Sequence, residues 1–208
     1  MTPPADPRAL HAWFSGRPGA EQIASVFALE ALARWLCRRE PARALDVGHG
    51  IGATTALLAW WLRTTAELVA VDDDPFCQAE ARANLGQLAL RVLWFDRIPA
   101  YLGVDLAVLD GPQVRPEDWK CLNPRAVVFI EGRRREQRAQ LLTTLGEDGR
   151  PCCWAEWKPR DRSKGYTVVL VEPTPRERAW FAVVRVREAL LDLLGRLRGL
   201  PIGKRRPA

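Results

Sequence analysis

Asp46, Gly48, Gly50 and Gly52 fall within a single ten-residue stretch, RALDVGHGIG at 43–52, and a further acid, Asp72, closes the next apolar run, ELVAVD at 67–72. Glycines at that spacing let a backbone bend tightly and approach a ligand with no Cβ in the way. The start of the helix that follows offers free N–H groups. An acid about 20 residues further on, at the tip of a second strand, can accept from the hydroxyls of a ribose. Two later acids, Asp110 in VDLAVLDGP and Glu131 in AVVFIEG, also end apolar runs. A carboxylate there can take a proton from, or orient, a reacting group. It can equally cap the turn that follows it. Arg133, Arg134 and Arg135 come next; they can clamp an anionic group on a substrate or simply face solvent.

These residues need strands to carry them. Short apolar runs at 43–48, 67–72, 87–95, 104–110 and 126–131 read as strands, with helices at 53–62, 75–85 and 133–145 between them and a short helix or turn at 116–122. Two further strands, 152–157 and 165–172, are joined by the charged loop KPRDRSK. A helix over 20–39 precedes the first strand, and one over 175–198 ends the chain, with Trp180, Val183, Val184, Leu190, Leu191 and Leu194 on its apolar side. Pro3, Pro4 and Pro7 make the first residues a loose leader. The alternation argues for an α/β three-layer sandwich around a mostly parallel sheet. Runs such as VLWF, LAVL and AVVFI suit strands covered on both faces. The expected organisation is one domain over 1–208: a helical segment at 1–42, a core at 43–172, and a helix with a basic tail at 173–208. In such sheets ligands sit at the carboxyl ends of the strands.

Composition narrows the field. With 208 residues, 48% hydrophobic and 27% charged, the chain is globular and long enough for a sizeable core. Five cysteines show neither zinc spacing nor a disulfide framework, so free thiols in a reducing compartment are expected. No leader of signal-peptide type is visible, and the most apolar stretch, ALLAWWL, is too short to span a bilayer. The expectation is a cytoplasmic protein with no membrane contact. The formal charge is +6, and the excess lies late: from residue 151 onward there are 13 Lys/Arg against 6 Asp/Glu. That face suits nucleic acid, an acidic substrate or plain solvent.

Read permissively, residues 48–53 also match the dinucleotide fingerprint G-x-G-x-x-A. Asp46 decides between cofactors, because a carboxylate beneath the loop repels a pyrophosphate and attracts a ligand carrying an ammonium and a sulfonium. That ligand is S-adenosylmethionine (SAM). The stretch LDVGHGIGATT resembles the first motif of class I SAM-dependent methyltransferases, a group that includes the small-molecule O-methyltransferases. VAVDDDP is similar to the second-strand motif of that group, WFDRIP to its third and VDLAVLDGP to its fourth, while AVVFIEGRRREQ falls where its fifth strand belongs.

The resemblance implies a Rossmann-like, seven-stranded, mostly parallel sheet with an antiparallel C-terminal strand. It implies that Asp46 and the backbone at Gly48 and Gly50 hold the methionine part of SAM. Asp72 takes the ribose hydroxyls, Asp96 lies near the adenine edge, and Asp110 sits beside the acceptor as base or orienter. Metal-dependent O-methyltransferases follow the fifth-strand acid with a further ligand such as Asn; here Gly132 and arginines follow, so Mg²⁺ is not expected. The DGPQ sequence lacks the Asp-Pro-Pro-aromatic signature of base N-methylation. A small-molecule hydroxyl is therefore the expected acceptor. RNA or protein, met by the basic last quarter, and a non-catalytic relative of the fold remain alternatives, and the first and last helices are free to cover the acceptor or form a homodimer.

Overall fold

The computed structural model describes residues 2–100, 102–111, 114–132, 134–159 and 165–199. Seven strands form one sheet: β1 (Arg43–Val47), β2 (Glu67–Val71), β3 (Val92–Phe95), β4 (Val104–Leu109), β5 (Leu122–Glu131), β6 (Cys152–Trp157) and β7 (Tyr166–Val171). Their order is β3-β2-β1-β4-β5-β7-β6. The first five strands pair in parallel, and β7 runs antiparallel to both β5 and β6. The helices are α1 (Pro7–Ser15), α2 (Val26–Arg39), α3 (Ala53–Trp61), α4 (Pro75–Leu85), α5 (Arg135–Glu147) and α6 (Pro175–Gly199). This is the expected Rossmann-like sandwich, mostly parallel with an antiparallel C-terminal strand.

Two apolar cores flank the sheet. One face packs Ala44, Ala70, Val108 and Phe129 against α1, α2 and α3; the other packs Leu45, Val71, Leu109 and Ile130 against Leu141 and Leu145 of α5. Period-two alternation then fixes the site. Asp46, Asp72, Asp110 and Glu131 all continue the alternation of the first face. Register places the last three on one rung. Val47 pairs with Val71 and Leu109, and Leu109 with Ile130, so the next positions, Asp72, Gly48, Asp110 and Glu131, lie side by side across four strands.

Four expectations need correction. The leader is not loose. Asp6 Oδ1 caps α1 by accepting from Arg8 N (3.1 Å) and Ala9 N (2.9 Å), Leu10 and Phe14 are fully buried, and the indole N–H groups of Trp60 and Trp61 donate to Pro3 O and Ala5 O. The helix expected over 20–39 begins at Val26, where Ser25 Oγ caps it by accepting from Ala28 N, and only a short 3₁₀ turn precedes it. The third strand is four residues long, because 86–91 forms a 3₁₀ segment that leaves Leu90 90% exposed. On α6, Phe181 and Val184 are buried, whereas Trp180, Val183, Leu190, Leu191 and Leu194 are exposed. The helix packs on the edge strand β6, which is too narrow to cover the whole apolar stripe. The basic end of the chain, 200–208, lies outside the described residues.

Candidate functional site

The loop after β1 turns on three glycines with positive φ: Gly48 (71°), Gly50 (52°) and Gly52 (98°). At Gly48 the constraint is also steric. A Cβ there would stand 1.8 Å from Gly111 Cα, and one on Gly111 would stand 2.2 Å from Gly48 Cα. The loops after β1 and β4 therefore cross in direct backbone contact. Asp110 N and Gly111 N both donate to Val47 O (3.0 and 3.1 Å), and Gly48 N donates to Val71 O (2.8 Å). At Gly50, by contrast, a Cβ would enter open space, so this part of the loop faces the cleft.

Carboxylates hold the loop from both sides. Asp72 Oδ2 accepts from Gly50 N (2.9 Å) and Oδ1 from Asp74 N (3.0 Å). Asp46 lies beneath the loop and is fully buried. Its Oδ2 accepts from the Thr54 and Thr55 hydroxyls (2.8 and 2.6 Å), and its Oδ1 has no partner among the described residues. Burial pushes the Asp46 carboxyl above its ordinary range, partly offset by the Thr55 and Thr54 hydroxyls. Asp46 does not line the cleft; Thr54 does. Thr54, whose hydroxyl donates to Asp46, stands between that carboxylate and the cleft.

His49, between Gly48 and Gly50, is buried. Its ring meets Trp94 edge-on at 5.2 Å. Nδ1 donates to Gly50 O (2.8 Å) and lies 3.9 Å from Asp72 Oδ2. Nε2 is buried without a partner among the described residues.

The cleft above the loop holds about 410 Å³. Its charged lining consists of Asp72, Asp73, Asp74, Asp110 and Glu21; no Lys or Arg among the described residues lines it. A second cavity, of about 490 Å³, adjoins it at Gly48 and Asp72 and is lined by Asp96, Asp118, Ile98 and Val114 together with Arg97 and Arg115. An acidic cleft with an adjoining, partly apolar recess is hostile to a pyrophosphate and suited to a cationic nucleoside.

Asp110 and Glu131 carry the remaining chemistry. They are neighbours on adjacent strands, one position beyond the Leu109–Ile130 pair, and Glu131 is 1% exposed. Burial first, and the Glu131 charge second, push Asp110 up to about 8 against the opposing pull of Arg134. Arg134 Nη2 donates to Asp110 Oδ1 (3.0 Å) and to Asp110 O, and Nη1 to Gly111 O (3.1 Å). Ser25 N, at the cap of α2, donates to Glu131 Oε1 (3.3 Å). Arg134, expected to clamp a substrate or face solvent, thus holds the β4 loop. Arg135 is exposed, and Arg133 lies outside the described residues. The contribution of 19–25 to the cleft, through Gly19, Glu21, Ile23 and Ala24, left no signal in the glycine motif. The serine cap that starts α2 was its only mark in the sequence.

A family model for protein-L-isoaspartate(D-aspartate) O-methyltransferase matches residues 17–150. Among curated proteins, none matches the sequence. Solved structures share the fold. An O-methyltransferase from Bacillus cereus in complex with S-adenosylhomocysteine (SAH) superposes with a TM-score of 0.62 at 12% identity, over 81% of this chain and 91% of that one. Cofactor-bound Rv0187 from MTB gives 0.60 at 17%, over 80% and 89%. The O-methyltransferase TomG from Streptomyces achromogenes, in complex with SAM, gives 0.57 at 18%, over 80% and 88%.

Proposed function

The chain belongs to the protein-L-isoaspartate(D-aspartate) O-methyltransferase family, and on that premise we propose that this SAM-dependent methyltransferase acts on a neutral hydroxyl of a small-molecule acceptor held against Asp110 and Glu131. When bound, SAM supplies an electrophilic methyl group on a sulfonium. The residues present fit it. Among the described residues the cleft is lined by carboxylates without a competing Lys or Arg, and two buried polar atoms beside it, His49 Nε2 and Asp46 Oδ1, have no partner there.

Each Asp72 oxygen uses one lone pair on a backbone N–H and keeps another for a ribose hydroxyl. Gly48 and Gly50, with Asp46 acting through Thr54, hold the methionine part. Asp96, on the rim of the adjoining recess, meets the adenine edge.

The observation that carries the acceptor reading is the Asp110–Glu131 pair. Two facing carboxyl groups repel an anionic nucleophile, and Asp110, once ionised, takes a proton from a neutral one. A base whose pKa lies near the working pH is suited to that task. Arg134 fixes the Asp110 carboxyl in place, which supports in-line positioning of the acceptor.

A second reading follows from the family's own description, in which the acceptor is an isoaspartyl carboxylate of a protein. A carboxylate nucleophile needs no base, so the two readings separate. Purified protein with SAM is assayed against phenols, alcohols and sugars, and against an isoaspartyl peptide. The proposal expects turnover of hydroxyl acceptors that Asp110→Asn abolishes. Turnover of the peptide alone, unaffected by Asp110→Asn, overturns it.

A further inference from the structure

The rung that carries Asp72, Gly48, Asp110 and Glu131 does not end at Glu131. Glu131 pairs with Tyr166 of β7, and Tyr166 with Trp157 of β6. Neighbouring strands lie about 5 Å apart, so these two aromatic residues floor the next 5 to 10 Å of the same sheet end. Above them, between α2 and α6, opens a separate cavity of about 380 Å³, within the range that binds small ligands. It shares no lining residue with the donor cleft among the described residues, and its character is the opposite.

Its charged lining is Arg34 and Arg38 from α2, Lys158 after β6, and Arg187 and Glu188 from α6. Four cations thus face one acid. Lys158 is paired outside the cavity with Asp192 (3.2 Å), and Arg187 with Glu188 (3.7 Å). The Arg34 charge favours ionisation of the Tyr166 hydroxyl against burial, which disfavours it more. Arg38 makes no ion pair, hydrogen bond or ring contact among the described residues.

The walls are aromatic. Trp157 stacks on Tyr166 with centroids 5.0 Å apart and 16° between planes, Trp180 leans on Trp157 at 6.2 Å, and Phe27 meets Tyr166 at 5.2 Å. Trp180, which also meets Phe181 edge-on at 5.0 Å, keeps 44% of its surface in solvent. Guanidinium groups bind carboxylates and phosphates through paired N–H donors, and tryptophan faces take flat rings by offset stacking. A cavity with both, on a chain whose donor cleft is acidic, discriminates by charge as well as by shape.

We infer that this cavity is a second binding site, for a planar ring bearing a carboxylate or phosphate, with the ring against Trp157 and Trp180 and the acid group on Arg34 and Arg38. The inference stands apart from the methyl-donor assignment, since no donor-cleft residue takes part.

Calorimetric titration tests it. The full chain is titrated with 4-hydroxybenzoate, phenyl phosphate and the neutral 4-hydroxybenzamide, with and without excess SAH. At least one of the acids binds at a single site about tenfold or more tighter than the amide, a gap of about 1.4 kcal/mol. Arg38→Glu removes that preference. Arg176→Glu, the same charge change on the first turn of α6 and outside the cavity, keeps it, and SAH affinity is equal in both variants. Equal binding of acids and amide, or an acid preference that survives Arg38→Glu, overturns the inference. Loss of SAH binding by the unmodified chain would count against the methyl-donor reading and leave this comparison intact.

Discussion

Asp110 is set by three neighbours: the surrounding core and the Glu131 charge, which disfavour its ionisation, and Arg134, which favours it. Burial prevails, and the carboxyl is pushed up to about 8. If Asp110 is the base, turnover on a hydroxyl acceptor rises through that pH. In Asp110→Asn it falls by about 10²–10⁴-fold, the usual contribution of a positioned base, while SAH affinity stays within about twofold. Arg134→Gln removes a charge that favours ionisation, so the rising limb moves to higher pH; a pH–rate profile that does not move separates Arg134 from the base. Asp72→Ala acts on the donor instead. A hydrogen bond to a charged group is worth about 1.5–3 kcal/mol, so calorimetry should show SAH affinity falling by about 10- to 150-fold in a variant that still folds. These roles are unevenly legible in the sequence. Asp72 and Asp110 end apolar runs and are plain there. The buried His49 is not, because a residue between two glycines reads as free, and only Trp94, 45 positions away, gives its ring somewhere to go. The partner of Arg134 is equally hidden, since the pairing depends on β4 and β5 lying side by side.

At the scale of elements, the crossing of two loops is the tightest feature of the site. The backbone of Gly111 meets that of Gly48, and neither can move away without breaking the hydrogen bonds to Val47 O and Val71 O. Gly111→Ala therefore forces backbone apart, and overpacking of this kind costs about 1–3 kcal/mol. Gly50→Ala enters open space and costs only the left-handed backbone penalty of about 1–2 kcal/mol. Urea midpoints compare the two, and Gly111→Ala is the less stable. Equal midpoints would mean that the loops have room to separate. The strands were readable because both faces are buried and their runs are continuously apolar. Helix α1 was missed although Asp6 followed by Pro7 is a start signal, because three early prolines read as a leader. The third strand is shorter than its apolar run because LALRVLWF is apolar at every position but Arg91, and a single arginine does not announce that a 3₁₀ segment gives way to a strand there. Periodicity marks the apolar stripe on α6 but not what covers it, and only the strand order shows that β6 is an edge.

Across the whole molecule, charge is sorted along one end of the sheet. The acidic cleft lies over β1 and β2, the Asp110–Glu131 pair over β4 and β5, and the cationic aromatic cavity over β6 and β7. The cost of the first two is burial of carboxyl groups, and it has a sign. Asp46 and Asp110 both ionise less readily in the folded chain than in the unfolded one, because burial raises them. Between about pH 4, where an unfolded aspartate loses its proton, and about pH 8, where folded Asp110 does, the folded chain holds more protons than the unfolded chain. Stability must then fall as pH rises through that window, opposite to the usual paired carboxylate. Urea unfolding at pH 5 and pH 8 measures the difference. The native chain is less stable at pH 8, and Asp110→Asn, which cannot ionise, narrows the gap. A gap of the same size in that variant would show that Asp110 is charged in the folded chain throughout, and that Arg134 outweighs burial.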